Sequence, residues 1–214
     1  MSRNFDVYLV TDAGLSEGRS TVSIVEDAIE GGVDVVQLRE KETTANERYE
    51  LGLELRELTR DADVPLIVND RIDIAAAIDA DGVHLGDDDL PVPIAREQLG
   101  EDAIVGRSVS TPAAAREAEA AGADYLGVGA VYGTTSKETT PEQSHIGLER
   151  IRAVREATEL PFVGIGGVTP ENAAAVVEAG ADGVAVISAI TAAEDPAAAT
   201  SRLSAAVEGV TSSV

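Results

Sequence analysis

The residues most suited to chemistry sit close together near position 40. Gln37-Leu38-Arg39-Glu40-Lys41 places an amide, a guanidinium and an ammonium on alternate positions. At a strand end, alternation turns all three to one side, which makes an anion-binding row. Asn69-Asp70 and the run Asp87-Asp88-Asp89 supply carboxylates, and Lys137 a further cation after the hydroxyls of Thr134, Thr135 and Ser136. Carboxylates suit a hard divalent cation. Mg²⁺ commonly takes one or two from the protein and leaves its other positions to water and phosphate oxygens. Gly166-Gly167, ahead of Thr169-Pro170, and Ile187-Ser188 have the makings of a phosphate cup built from backbone N–H groups. Together these point to one site for two phosphorylated small molecules, one of them a metal-bound diphosphate. Blander readings stand beside this one. An acidic surface supplies Asp runs freely, and Gly-Gly before a helix also marks a tight turn. His84 reads as a satisfied core histidine and His145 as a bystander in a polar loop.

Composition narrows the setting. The chain has 214 residues, 44% of them hydrophobic and 3% aromatic, with no cysteine. Disulfides, thiolate nucleophiles and Cys-ligated metals are therefore out. No apolar stretch has the length of a signal peptide core or a membrane span, so a cytoplasmic protein with one domain over 1–214 is expected. Lys and Arg number 16 against 39 Asp and Glu, a net charge of −23. Such a surface repels nucleic acid and anionic membranes, and neither is expected as a partner. The sequence leaves the oligomeric state open, a homodimer included. Lys41 and Lys137 are the two lysines of the chain, and both fall in the stretches named above. Acidic excess with so little lysine resembles proteins of organisms that keep molar salt in the cytoplasm.

The elements that must position these residues alternate regularly. Apolar runs at Val7–Val10, Val33–Leu38, Pro65–Val68, Gly82–Leu85, Ala103–Val105, Tyr125–Val128, Pro161–Ile165 and Gly183–Ile187 read as strands buried on both faces. Helical spacing occupies about 20–31, 44–61, 71–79, 91–99, 111–121, 147–158, 170–179 and 196–208. Thr111-Pro112 and Thr169-Pro170 look like hydroxyl caps ahead of a first-turn proline. Asp34, Asp81, Asp124 and Asp182 recur in short helix-to-strand joints, where each is expected to cap the turn. Eight βα units of this kind predict a single (β/α)₈ TIM barrel, with chemistry at the C-terminal strand ends. There the candidate residues all lie.

In order along the chain, Gln37-Leu-Arg-Glu-Lys41, Asn69-Asp70, Val83-His-Leu-Gly-Asp-Asp-Asp89, Gly106-Arg-Ser108, Gly133-Thr-Thr-Ser-Lys137, Gly166-Gly167 and Ile187-Ser188 resemble the thiamine-phosphate synthase family. The likeness runs from the first strand to the last helix. It implies a transferase joining 4-amino-2-methyl-5-pyrimidinylmethyl diphosphate to 4-methyl-5-(2-phosphoethyl)thiazole, with Mg²⁺ as cofactor. By position, Gln37, Leu38, Arg39, Glu40, Lys41, Asn69, Ser108 and Lys137 would hold the pyrimidine diphosphate, with Arg39, Lys41 and Lys137 acting on the leaving group. Asp70 and Asp89 would hold the metal. Thr134, Thr135, Ser136, Gly167, Ile187 and Ser188 would hold the thiazole phosphate. Asp87, Gly133 and Ser136 depart mildly from the family pattern, which more often has Gln, Pro and Thr there. A thiazole tautomerase of the same fold is an alternative, but Ser110 stands where that branch resembles having a catalytic His. A non-catalytic thiamine-pathway metabolite-binding protein is another.

The charge generates a first expectation. At low ionic strength the acidic surface repels itself over roughly 10–30 Å, whereas molar salt shortens that range to about 3 Å. The melting temperature should therefore rise steeply between roughly 0.1 and 2 M KCl. A melting curve insensitive to KCl would refute the salt-adapted reading.

Overall fold

The structure, a computed structural model, describes residues 4–133 and 145–211. Its eight strands are β1 (Val7–Val10), β2 (Val35–Leu38), β3 (Leu66–Asn69), β4 (Gly82–Leu85), β5 (Ile104–Val109), β6 (Tyr125–Gly129), β7 (Phe162–Ile165) and β8 (Gly183–Val186). All pair in parallel in chain order, and β8 closes on β1. The helices are α1 (Thr21–Glu30), α2 (Ala45–Asp61), α3 (Ile72–Ala77), α4 (Val92–Leu99), α5 (Pro112–Ala120), α6 (Gly147–Arg155), α7 (Ala173–Glu178), α8 (Ser188–Thr191) and α9 (Pro196–Thr211). The expected TIM barrel is present.

Two apolar layers follow from the alternation of strand side chains. One fills the barrel with Phe5, Tyr8, Val10, Val35, Ile67, Ile104, Tyr125, Val163 and Ala185. The other lies between strands and helices and is made of Val, Leu, Ile and Ala, with Phe162 as its aromatic. The scarcity of aromatics is met by concentrating Phe5, Tyr8 and Tyr125 inside the barrel, with Phe5 stacked on Tyr125 at 5.1 Å between ring centres.

Local expectations fared unevenly. Thr111 does cap α5, accepting the Ala114 N–H. Thr169 does not cap a helix, because α7 begins only at Ala173. Instead Asn172 accepts the Thr169 N–H at 2.9 Å and donates to the Gly167 carbonyl at 3.0 Å, making a polar turn. β5 runs on to Val109, so Ser108 lies within the strand rather than after it. The one-turn α8 is additional, too short to leave a periodic signature.

The recurring aspartates differ from expectation in an informative way. Each reaches sideways to the preceding strand rather than capping its own turn. Asp34, Asp81, Asp124 and Asp182 accept the N–H groups of Val7, Leu66, Val105 and Phe162 at 2.9, 2.8, 2.7 and 2.9 Å. Their own N–H groups bond the carbonyls of those same residues. Three also hold an arginine from the preceding even-numbered helix: Arg56 on Asp81, Arg96 on Asp124 and Arg155 on Asp182. Odd strand is thus tied to even strand four times around the lower rim, the face that carries stability in this fold.

Asp124→Ala removes the acceptor for both Val105 N–H and Arg96, a charge-assisted arrangement worth about 2 kcal/mol. The melting temperature should fall by roughly 4–8 °C for a domain of this size. Turnover of the folded fraction should not change. An unaltered melting temperature would contradict a structural role for these bridges.

Candidate active site

At the C-terminal mouth of the barrel lies a cavity of about 840 Å³. Gln37, Arg39 and Lys41 all line it, as alternation requires. Leu38 and Glu40 face the other way. Leu38 is buried in the layer under the helices, and Glu40 accepts from the Ala13 N–H at 2.8 Å and the Thr21 hydroxyl at 3.1 Å. Their side chains do not join the site.

The cations of this row are held by carboxylates of the same chain. The Arg39 guanidinium is nearly buried and meets Asp12 at 2.6 Å. Asp12 lies two residues past the end of β1, the neighbour of β2, so the pairing of these strands brings it alongside. Sequence reading passed it over, since a single acid after a strand carries no local signal. Lys41 is half exposed and lies 3.5 Å from Asp70. A buried cation needs a partner, and here Asp12 supplies it without any ligand.

Asn69 ends β3 and lines the cavity beside Asp70. Asp70 takes a left-handed backbone conformation, with φ +63°. Aspartate tolerates that region better than most residues, and such conformers collect where a side chain must be aimed. The Asp70 N–H bonds the His84 carbonyl at 2.9 Å, which pins the turn to β4. Asp89 folds back so that its carboxylate accepts the Gly86 N–H at 2.6 Å. The two carboxyl groups line the same cavity, close enough for each to feel the other's charge. Burial pushes the Asp89 carboxyl up and Asp70 adds to the push, against the opposing effects of the Gly86 N–H and Lys41. Like charges so placed are relieved by a proton or by a metal ion, and a pair of hard oxygen donors suits the latter. Asp87 is committed elsewhere, to Arg107 at 2.9 Å.

The opposite wall is built from backbone. Gly166 and Gly167 take φ of +100° and +66°. A Cβ on Gly166 would strike Ala130 at 2.5 Å, and one on Gly167 the Gly133 carbonyl at 2.5 Å. Only glycine lets the turn after β7 lie this close to the turn after β6. Ile187 and Ser188 line the cavity where α8 begins, and the first N–H groups of a helix lack intrahelical partners. Both walls end on the same open space.

One cavity therefore gathers Gln37, Arg39, Lys41, Asn69, Asp70, Asp89, Ser108, Gly167, Ile187 and Ser188. Thr134, Thr135, Ser136 and Lys137 lie outside the described residues. Three further lining residues were not anticipated as such: Tyr8 and Tyr132, and His145, set aside as a bystander. The His145 ring packs where a Cβ on Gly133 would sit, 2.4 Å away, a contact no local pattern announces. His84 is buried with both ring nitrogens bonded, as a satisfied core histidine should be, yet it too lines the floor.

Comparison with known proteins agrees with this geometry. A family model described as thiamine monophosphate synthase matches residues 7–190. The chain is 77% identical to a thiamine-phosphate synthase of Natronomonas pharaonis over the whole of both chains. It is 66% identical to one of Haloarcula marismortui, over 96% of this chain and 98% of that one. Among solved structures, a thiamine phosphate pyrophosphorylase from Pyrococcus furiosus superposes with a TM-score of 0.89 at 42% identity, covering 97% of this chain and 98% of that one. With a closed barrel, a two-walled cavity and matches spanning the chain, this protein belongs to the thiamine monophosphate synthase family.

Proposed function

We propose that the chain is a transferase that joins 4-amino-2-methyl-5-pyrimidinylmethyl diphosphate to 4-methyl-5-(2-phosphoethyl)thiazole, giving thiamine phosphate and pyrophosphate. The observation that carries this reading is that two unlike sets of groups suited to anions line one cavity. A cationic wall with paired carboxylates, Arg39, Lys41, Asp70 and Asp89, faces a backbone wall at Gly167 and Ser188. The first suits a diphosphate, the second a monophosphate.

The C–O bond to the diphosphate breaks with its electron pair leaving on pyrophosphate, and the pyrimidine ring shares the positive charge left on the methylene carbon. The thiazole nitrogen then donates its lone pair to form the new C–N bond. No base and no nucleophilic side chain is needed; the demand on the protein is to stabilise the leaving oxygens. Arg39 and Lys41 supply fixed positive charge there, and the family motif assigns Lys137 to the same anion. Gln37, Asn69 and Ser108 hold the pyrimidine end, while Leu38 and Glu40 space the row and buttress it. Thr134, Thr135 and Ser136, with Gly167, Ile187 and Ser188, hold the thiazole phosphate so that its ring nitrogen faces the reacting carbon.

Asp70 and Asp89 would hold Mg²⁺. Among the described residues no group of three or more His, Cys, Asp or Glu converges on one point, so such an ion would complete its shell with water and diphosphate oxygens. Bound there, the ion supplies charge neutralisation to the leaving group. Among the described residues no helix is long and apolar enough to cross a membrane, and we place the enzyme in the cytoplasm.

Mixing the two substrates with Mg²⁺ should yield thiamine phosphate and pyrophosphate; no product would overturn the reading. Lys41→Met should lower turnover about 100-fold, the scale of losing one preorganised charge. Its melting temperature should hardly move, because the side chain is half exposed and its pair with Asp70 is long. Asp70→Asn and Asp89→Asn should each raise the Mg²⁺ concentration for half-maximal rate, and Asp87→Asn should not, since Asp87 serves Arg107. Equal effects from all three would relocate the metal.

A further inference from the structure

Beneath the cavity a chain of polar side chains crosses the apolar barrel interior. Gln37 Nε2 donates to the Tyr8 hydroxyl at 2.8 Å, and the Tyr8 and Tyr125 hydroxyls lie 2.7 Å apart. The Tyr125 hydroxyl is 2.9 Å from His84 Nδ1, and His84 Nε2 is 3.0 Å from Ser108 Oγ. These residues come from β2, β1, β6, β4 and β5. Both tyrosines are fully buried, and burial pushes both phenols well up, so each keeps its hydrogen.

The barrel makes room for this chain at a cost to its own packing. A Cβ on Gly106 would lie 2.2 Å from Tyr125 Cζ and 2.5 Å from His84 Nδ1. One on Gly127 would lie 3.0 Å from His84 Cε1. Two strand positions thus give up their side chains to seat the two rings. A network built at that expense, and ending on a cavity residue at each end, does more than fill space.

With the Gln37 amide set so that Nε2 meets the Tyr8 hydroxyl, hydrogen-bond counting gives the chain a direction. A tyrosine hydroxyl has one hydrogen to give. Tyr8 accepts from Gln37, so its own hydrogen must go to Tyr125; a reversed order leaves that buried hydrogen without an acceptor, which is expensive. Tyr125, having accepted, gives its hydrogen to His84 Nδ1. The imidazole then carries its hydrogen on Nε2 and donates to Ser108 Oγ. Ser108, having accepted, keeps a hydroxyl hydrogen free to point into the cavity. At the far end, Gln37 lines the same cavity and keeps its carbonyl oxygen as an acceptor.

We propose that Tyr8, Tyr125 and His84 are positioning residues, forming a one-way chain of hydrogen bonds that sets Ser108 as a donor and Gln37 Oε1 as an acceptor toward the bound pyrimidine diphosphate. The part concerning substrate rests on the transferase reading; the direction of the chain does not.

The chain contains two histidines, so long-range ¹H–¹⁵N spectra of the side chains are simple to read, and His145→Asn assigns the pair. His84 should carry its hydrogen on Nε2 in the unmodified protein, without substrate. A hydrogen on Nδ1, or an even mixture, overturns the proposal, and this reading does not require any variant to fold. Kinetics add the second arm. Tyr125→Phe should raise KM for the pyrimidine diphosphate about tenfold, the scale of one hydrogen bond to a charged group. In a Ser108→Ala background the same change should raise it less than about twofold, because the effect passes through the Ser108 hydroxyl. An equal loss in both backgrounds means a packing effect and overturns the proposal. Failure of the unmodified protein to form thiamine phosphate would count against the transferase reading alone, with the tautomer still deciding the network.

Discussion

Two carboxylates brought together at the mouth of a barrel set the electrical problem that the site must solve. Asp70 and Asp89 line one cavity and feel each other's charge, on a chain whose net charge is already −23. Diphosphate and monophosphate would enter a protein whose surface repels them. At physiological ionic strength charges beyond about 8 Å are largely screened, so the local arrangement decides the outcome rather than the total. That arrangement is consistent throughout. Arg39 is anchored by Asp12, Lys41 bridges toward Asp70, and Asp87 is drawn aside by Arg107. The carboxylate pair is left as the place where positive charge is wanted.

The two rims of the barrel divide the labour. On the lower rim, Asp34, Asp81, Asp124 and Asp182 tie neighbouring strands together, and arginines partner three of them. On the upper rim, acids and bases are turned into the cavity. Acidic residues serve both rims, by accepting backbone N–H groups below and by aiming carboxylates at open space above. Glycine divides in the same manner. At Gly106 it admits the rings of the buried polar chain, and at Gly166 and Gly167 it brings one loop against another.

Much of this was legible in the sequence, for reasons that separate cleanly. Continuous apolar runs marked every strand, because strands buried on both faces need no polar positions. Gln37, Arg39 and Lys41 were found because alternation is a local rule that survives folding. Asp12 and His145 were missed because their places depend on which loops the closed barrel brings together. The four aspartates were seen as a repeat but misread, since their true partners lie on the preceding strand, between 15 and 27 positions away. Thr169-Pro170 matched a helix-start pattern, yet the Asn172 side chain captured the backbone first and delayed α7 by a turn. His84 was rightly read as a satisfied buried histidine, but the identity of what satisfies it could only come from the fold.

If Asp70 and Asp89 hold a divalent cation, anion binding at the Arg39 and Lys41 wall depends on that ion. Calorimetric titration of pyrophosphate into the protein, first with Mg²⁺ and then with EDTA, measures that dependence. Binding in Mg²⁺ should weaken by roughly tenfold or more in EDTA, a difference of at least about 1.4 kcal/mol. Equal affinity under both conditions would contradict it.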